Sequence, residues 1–243
     1  MKLNTITNKW ESQFWHPAVA TDAVVFGFDG EDLNVLLIER NLEPYKNYWA
    51  LPGGFIKESD NSAEECVYRE LHEETNVEDL YLEELKTYSN KCRDPRERVI
   101  SIAFFALVVK DKYIIKGGDD AKSAKWFSVN SLPTLAFDHS EIISEALDRL
   151  RQRIHFEPIG FHLLDNEFTM PQLQSIYIAI LNPPENDNKV RDRRNFPKKM
   201  LKLGYIKETG KKVTGNPYRS PKLYSFDEEA YFEAKKIGMR LEF

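Results

Sequence analysis

The segment Ser62–Thr75, SAEECVYRELHEET, constrains this chain more than any other stretch. Ala63, Cys66, Val67, Glu70, Leu71 and Glu74 recur at helical spacing, and Ser62 followed by Glu65 has the pattern of a capping box. Glu70, Glu73 and Glu74 stand at i, i+3 and i+4, which places three carboxylates on one helical face. Left alone they repel one another, and a bound Mg²⁺ would neutralise them. That hard ion takes carboxylate and phosphate oxygens together and can activate a water against a pyrophosphate. Arg69 precedes the acids, and Gly53-Gly54 lies upstream in a loop that also holds Pro44 and Pro52. Strands must therefore bring a glycine loop against an acidic helix.

Those strands are legible. Ala18–Phe28 and Leu33–Glu39 are rich in β-branched and apolar residues and flank Asp29-Gly30, so they form a hairpin. Further strands are expected at Leu82–Tyr88, Arg98–Val109 and Ala124–Val129, and a helix at Ser140–Arg153 with Ile142, Ile143, Ala146, Leu147 and Leu150 on one side. Arg40 ends the second strand, while Asp94, Arg96 and Arg98 precede a long apolar one. With Gly54 they are the candidate ligand-binding residues, because arginines beside an acidic cluster suit a phosphate or carboxylate. Tyr48 and Trp49 suit either core packing or stacking on a base. His139 and His155 have no partner pattern and read as structural.

The last third differs in charge. Between Asn188 and Lys222, twelve Lys and Arg residues face only Asp192 and Glu208, a local charge of +10 in a chain whose total is −5. Such polarity points to a polyanion partner for this part alone. Thr169 caps a helix over MPQLQSIYIAIL, with Pro171 in its first turn. After the break NPPENDN a basic helix starts near Asp192–Asn195, with Pro197 in its first turn, and stops at Gly204; Tyr205–Glu208 and Lys222–Phe226 follow as short strands. Phe196, Met200 and Leu203 form an inward apolar set that aims the basic side chains outward. Helix, linker, basic helix and basic hairpin is the order of a winged helix-turn-helix. Arg193, Arg194 and Asn195 suit base edges, with phosphates attracted to the helix N-terminus. Lys198, Lys199 and Lys202, with Arg191 in the same basic run, suit the phosphate backbone, and Lys211, Lys212 and Arg219 form the wing.

No apolar run approaches the roughly 20 residues of a membrane span, and Cys66 and Cys92 show no C-x-x-C pairing. A reduced, cytoplasmic chain with no membrane partner is expected.

Gly53-Gly54-Phe55 followed by Arg69-Glu70-Leu71-His72-Glu73-Glu74-Thr75 resembles the Nudix box, G-x5-E-x7-R-E-U-x-E-E-x-G-U with U apolar. Arg69 to Glu74 match at every specified position, and Val77 supplies the last apolar one. The loop is one residue longer than the consensus, so its glutamate falls on Asp60 or Asn61. Asn76 replaces the glycine, and asparagine is next best for a left-handed cap. Over nearly its whole length the chain is similar to the Nudix-related transcription regulators of NAD or pentose metabolism, the NrtR and AraR group. The likeness runs through RDPRERVIS at Arg93–Ser101, Phe137-Asp138-His139, Glu157-Pro158-Ile159-Gly160-Phe161 and Arg193-Arg194-Asn195-Phe196.

The resemblance implies an α+β chain: an N-terminal Nudix fold, a mixed sheet sandwiched by helices, over residues 1–155, and a winged helix-turn-helix over 156–243. It implies a homodimeric repressor whose Nudix domain binds ADP-ribose or a related sugar, releasing a double-stranded operator. The box makes Arg69, Glu70, Glu73 and Glu74 the catalytic positions, the three glutamates being the Mg²⁺ ligands. Because those glutamates are retained, Mg²⁺-dependent hydrolysis of ADP-ribose or a similar nucleoside diphosphate stays open as the alternative. An enzyme acting on capped or triphosphorylated RNA is a third.

Overall fold

The computed structural model describes residues 1–6, 8–77, 80–113, 115, 121–187, 189–214, 220–236 and 238. A short hairpin, β1 (Lys2–Asn4) and β2 (Lys9–Glu11), precedes a seven-stranded mixed sheet. Its path is β5 (Trp49–Ala50), β4 (Leu33–Arg40), β3 (Ala18–Phe28), β8 (Val99–Val108) and β7 (Tyr81–Tyr88). Strand β6 (Gly53–Phe55) pairs with β3, and β9 (Ala121–Ser128) with β4. The central strands β3 and β8 run parallel, from Ala18 opposite Val99 to Gly27 opposite Val108.

Alternation along β3 builds the layers. Ala23 and Val25 face one side with Val67 and Leu71 of α1 (Ala63–Thr75). Val24 and Phe26 face the other with Ile142, Ile143, Ala146 and Leu150 of α2 (His139–Arg153). Because both faces are covered, β3 reads as a nearly continuous apolar run rather than an alternating one. Each helix end has its own stop. Ser62 Oγ accepts the Glu65 N–H at 3.2 Å, and Asn76 takes φ 58° while its N–H returns to His72 O. The reciprocal half of the expected box at Ser62 is not formed, because the Glu65 carboxylate accepts from Asn61 N and Nδ2 instead.

Beyond α2 the chain makes α3 (Met170–Leu181), α4 (Asn195–Lys202), the antiparallel pair β10 (Ile206–Lys212) and β11 (Lys222–Phe226), and α5 (Glu228–Lys236). Thr169 and Gln172 form a full capping box at α3, and Gly204 takes φ +82° after α4. The first wing strand runs to Lys212, beyond the Glu208 expected from sequence, and α5 and the β1–β2 hairpin are additional. One buried cluster continues from Val24 and Leu37 through Leu150 and Ile154 to Tyr177, Phe196, Met200 and Ile206. The basic helix thus rests on apolar packing that is continuous with the sheet.

Candidate ligand cleft and nucleic-acid interface

Two glycines shape the cleft. Gly53 has φ +151°, and a Cβ there would lie 2.1 Å from Thr21 O; at Gly54 a Cβ would lie 2.6 Å from the Glu70 carboxylate. Only glycine lets the loop reach β3 and α1 together. The resulting cleft has a volume of about 360 Å³ and lies between β3, β6, the end of β4 and the N-terminus of α2. Glu70, Glu73, Glu74, Gly54, Arg40, Asp94 and Arg96 all line it. Arg98 does not; it borders a separate hollow with Trp15, Lys91 and Cys92. Trp49 packs edge-on against Phe127 at 4.6 Å, and Tyr48 is exposed.

The acidic face is already occupied by protein donors. Arg69 lies behind the cleft wall, with Nη1 2.5 Å from Glu70 Oε1 and 3.2 Å from Glu73 Oε2. Its Nε and Nη2 donate to the two Asp60 oxygens at 2.9 and 2.8 Å. Those hydrogen bonds hold the Asp60 carboxyl well below its ordinary range and raise the Arg69 guanidinium. Asp60 is therefore committed to Arg69 rather than extended toward the glutamates. Glu74 Oε2 accepts the Gly53 N–H at 2.9 Å. Among the described residues, no three His, Cys, Asp or Glu side chains converge as metal ligands. Arg69 and the exposed Lys57 set two positive charges against the four carboxylates of Asp60, Glu70, Glu73 and Glu74, so the face stays net negative toward the cleft, and Glu70, Glu73 and Glu74 are the residues whose oxygens would have to converge to hold a divalent cation.

The arginines at the mouth contact aromatic rings. Arg40 stands 4.8 Å over Phe137, while Arg96 stands 5.9 Å over Phe137 and 5.6 Å over Phe55. Arg96 also binds Asp94 through Nε at 3.1 Å and Nη2 at 2.7 Å. Burial pushes the Asp94 carboxyl up, but these bonds outweigh it and leave it below its ordinary value. Planar cations on ring faces beside a polar floor can accept a flat base and a charged phosphate together.

Asp22, Arg93, Ser101, Asp138 and His139 were not among the expected site residues, yet they form the floor and its support. Arg93 Nη2 reaches Asp22 Oδ2 at 3.1 Å and Asp138 Oδ1 at 2.9 Å; Arg93 Nε donates to Asp138 Oδ2 at 3.0 Å. Ser101 Oγ adds a 2.5 Å bond to Asp22. A detectable signal existed: Asp22 is the lone acid inside an apolar strand, and a buried charge requires a partner.

His139 Nδ1 accepts the Leu51 N–H at 2.8 Å, which places the proton on Nε2, 3.5 Å from Asp22 Oδ1. Burial lowers its pKa from the ordinary 6.5. Below pH 6.5 the unfolded chain therefore binds a proton that the folded one refuses, so stability is full above that value and falls as pH drops. Melting temperature should decline between pH 7.5 and 5.5 more steeply in the wild type than in His139→Gln. Parallel pH profiles would count against the neutral, buried assignment.

In the second half, Arg193, Arg194, Asn195, Lys198 and Lys202 are exposed on and just before α4, and Lys199 is partly so. Asp192 Oδ1 accepts the N–H groups of Arg194 and Asn195 at 2.7 and 2.9 Å. The N-terminal donors expected to attract phosphate are thus spent on an internal acid, and contact with a polyanion falls to side chains. Asn195 Nδ2 also donates to Asp192 at 3.0 Å. Arg191 is turned away, its guanidinium donating to Pro183 O and Pro184 O. Lys211 pairs with Glu167 at 2.7 Å, Lys212 is exposed, and Arg219 lies outside the described residues.

A cleft between a glycine loop and a carboxylate helix, in one chain with a basic helix and wing, is the layout of a Nudix domain joined to a DNA-binding winged helix. The NUDIX domain model matches residues 16–149, and the model of the NrtR DNA-binding winged helix domain matches residues 160–226. The ADPR responsive transcriptional repressor NtrR of Acinetobacter baylyi is 31% identical over 225 residues, 91% of this chain and 86% of that protein. The ADP-ribose pyrophosphatase of Methanocaldococcus jannaschii is 45% identical over 132 residues, 54% of this chain and 74% of that one. Shewanella oneidensis NrtR complexed with a 27mer DNA superposes with a TM-score of 0.73 at 30% identity, covering 88% of this chain and 95% of that one. Its NUDIX domain complexed with ADP ribose gives 0.55 at 34% identity, covering 60% and 96%. The chain belongs to the Nudix family, in the group that carries an NrtR-type winged helix.

Proposed function

We propose that this chain is a cytoplasmic, homodimeric repressor that binds operator DNA through α4 and the wing and lets go when ADP-ribose enters the Nudix cleft. The observation that carries it is the joining, in one chain, of an arginine- and phenylalanine-lined cleft to a basic helix through one continuous core. Likeness across nine-tenths of the chain to a repressor described as ADPR responsive supports the choice of ligand. Arg40, Arg96 and Gly54 meet the ligand, with Glu70, Glu73 and Glu74 facing it. A dimer presents two copies of α4 to half-sites about one helical turn apart.

Anisotropy on a duplex selected by the protein from a random library tests both halves. Affinity should fall steeply with salt, and Lys198→Ala or Lys202→Ala should each reduce the log–log salt slope by about one unit per bound copy. ADP-ribose should weaken binding. Indifference to ADP-ribose, or a response to a pentose instead, would reject the ligand assignment.

Hydrolysis is the second reading, favoured by the 45% identity to the archaeal pyrophosphatase. It requires Glu70, Glu73 and Glu74 to bring their cleft-side oxygens together around Mg²⁺. ADP-ribose should survive incubation with the protein and Mg²⁺, and stoichiometric excess of AMP over protein would instead favour the enzyme.

A further inference from the structure

Three consecutive residues at the start of α2 tie that helix to the cleft. Phe137 has φ +50°, a left-handed conformation that a bulky L-residue keeps only under constraint. The constraint is visible: the Arg40 guanidinium 4.8 Å over its ring, Arg96 at 5.9 Å, and the edge of Tyr45 at 4.8 Å. Asp138 takes two hydrogen bonds from buried Arg93, and His139 accepts from Leu51. Arg40, Arg93 and Arg96 all line the cleft, so the cations that hold the helix are those an anionic ligand would meet.

The far end of α2 is fixed to the DNA-binding half. Arg151 Nε donates to Ile180 O, at the end of α3, at 3.0 Å. Leu150 and Ile154 share a buried cluster with Ile176, Tyr177 and Ile180. Tyr177 in turn packs edge-on against Phe196 of α4 at 5.4 Å. A 15-residue helix is a stiff rod of about 22 Å, long enough to carry a displacement from cleft to recognition helix.

We propose that the turn Phe137–His139, clamped by Arg93, transmits cleft occupancy to α4. A nucleoside diphosphate sugar competes with Phe137 and Asp138 for the three arginines, and the released first turn moves α2 together with α3 and α4. Arg93 meets the ligand directly, and Asp138 and Arg151 act as positioning residues. Coupling of two sites needs a ligand that interacts differently with two states, and shared cations supply that difference. The inference rests on the ADP-ribose sensor reading above.

The test measures the ADP-ribose Kd of the full chain, free and bound to the selected duplex, for wild type, Asp138→Asn and Arg151→Met. Their ratio is the coupling factor, and it should be about tenfold or more in the wild type. In both variants it should fall to near one; Arg151→Met should keep the Kd values for ADP-ribose alone and for DNA alone within about threefold, whereas Asp138→Asn, which frees Arg93, should tighten ADP-ribose binding to the DNA-free chain. A wild-type ratio retained in both variants overturns the coupling and leaves the sensor intact. A wild-type ratio near one overturns the sensor and the coupling with it. Loss of DNA binding by both variants without ligand overturns the positioning role in favour of a plain structural one.

Discussion

Arg93→Ala should lower the unfolding free energy by about 3–5 kcal/mol, the usual consequence of leaving one member of a buried ion pair alone. The Arg93 side chain is 5% exposed and that of Asp22 11%, so water cannot replace the lost guanidinium. Among the described residues, Asp22 would keep Ser101 and the His139 edge, and Asp138 would lose both its bonds to Arg93. Urea denaturation is the measurement, with a lower midpoint and an unchanged slope. The double variant Arg93→Ala/Asp22→Asn separates charge from packing. Removing the orphaned carboxylate should restore at least about 1 kcal/mol, because the penalty comes chiefly from the uncompensated charge. A double variant no more stable than the single one would assign the loss to packing alone.

Local chemistry made much of the fold readable. Ser62, Asn76, Thr169 and Gly204 each announce a helix end through backbone geometry that only a few residue types satisfy, and each end falls there. Strands β3 and β4 are visible because an apolar run on either side of Asp29-Gly30 has few alternatives; Asp29 Oδ1 accepts from Glu31 N and Asp32 N to close that turn. The acidic helix face was equally legible, but the cation that pairs with it was not. Arg69 follows Asp60 by nine positions, and nothing in sequence spacing says that the guanidinium turns to Asp60, Glu70 and Glu73 at once. Arg93, Asp138 and His139 escaped for a related reason. Their partners are Asp22 on β3, the Leu51 N–H and one another, segments far apart in sequence that meet only once the sheet is assembled. The apolar continuity from Leu150 to Tyr177 is likewise a tertiary fact, since each helix by itself shows only an apolar stripe seeking some partner.

That continuity gives Phe196→Ala its large expected effect. Phe196 is fully buried beneath α4, against Tyr177, and cutting a buried phenylalanine to alanine costs about 3–5 kcal/mol through lost transfer energy and the cavity left behind. Leu201, on the same helix and 41% exposed, provides the control: Leu201→Ala should change stability by less than about 0.5 kcal/mol. The two substitutions remove comparable apolar chemistry from one helix, so the contrast isolates burial from helix propensity. DNA affinity should follow the same division. Phe196 is buried and out of reach of a base, but its packing on Tyr177 fixes the rotation of α4 about its axis and so the direction in which Arg193, Arg194 and Lys198 point. Phe196→Ala should therefore weaken duplex binding in anisotropy even at temperatures where the variant remains folded, whereas Leu201→Ala should bind as the wild type does. Equal DNA affinity for folded Phe196→Ala and wild type would mean that the basic helix finds its orientation from the duplex rather than from the core beneath it.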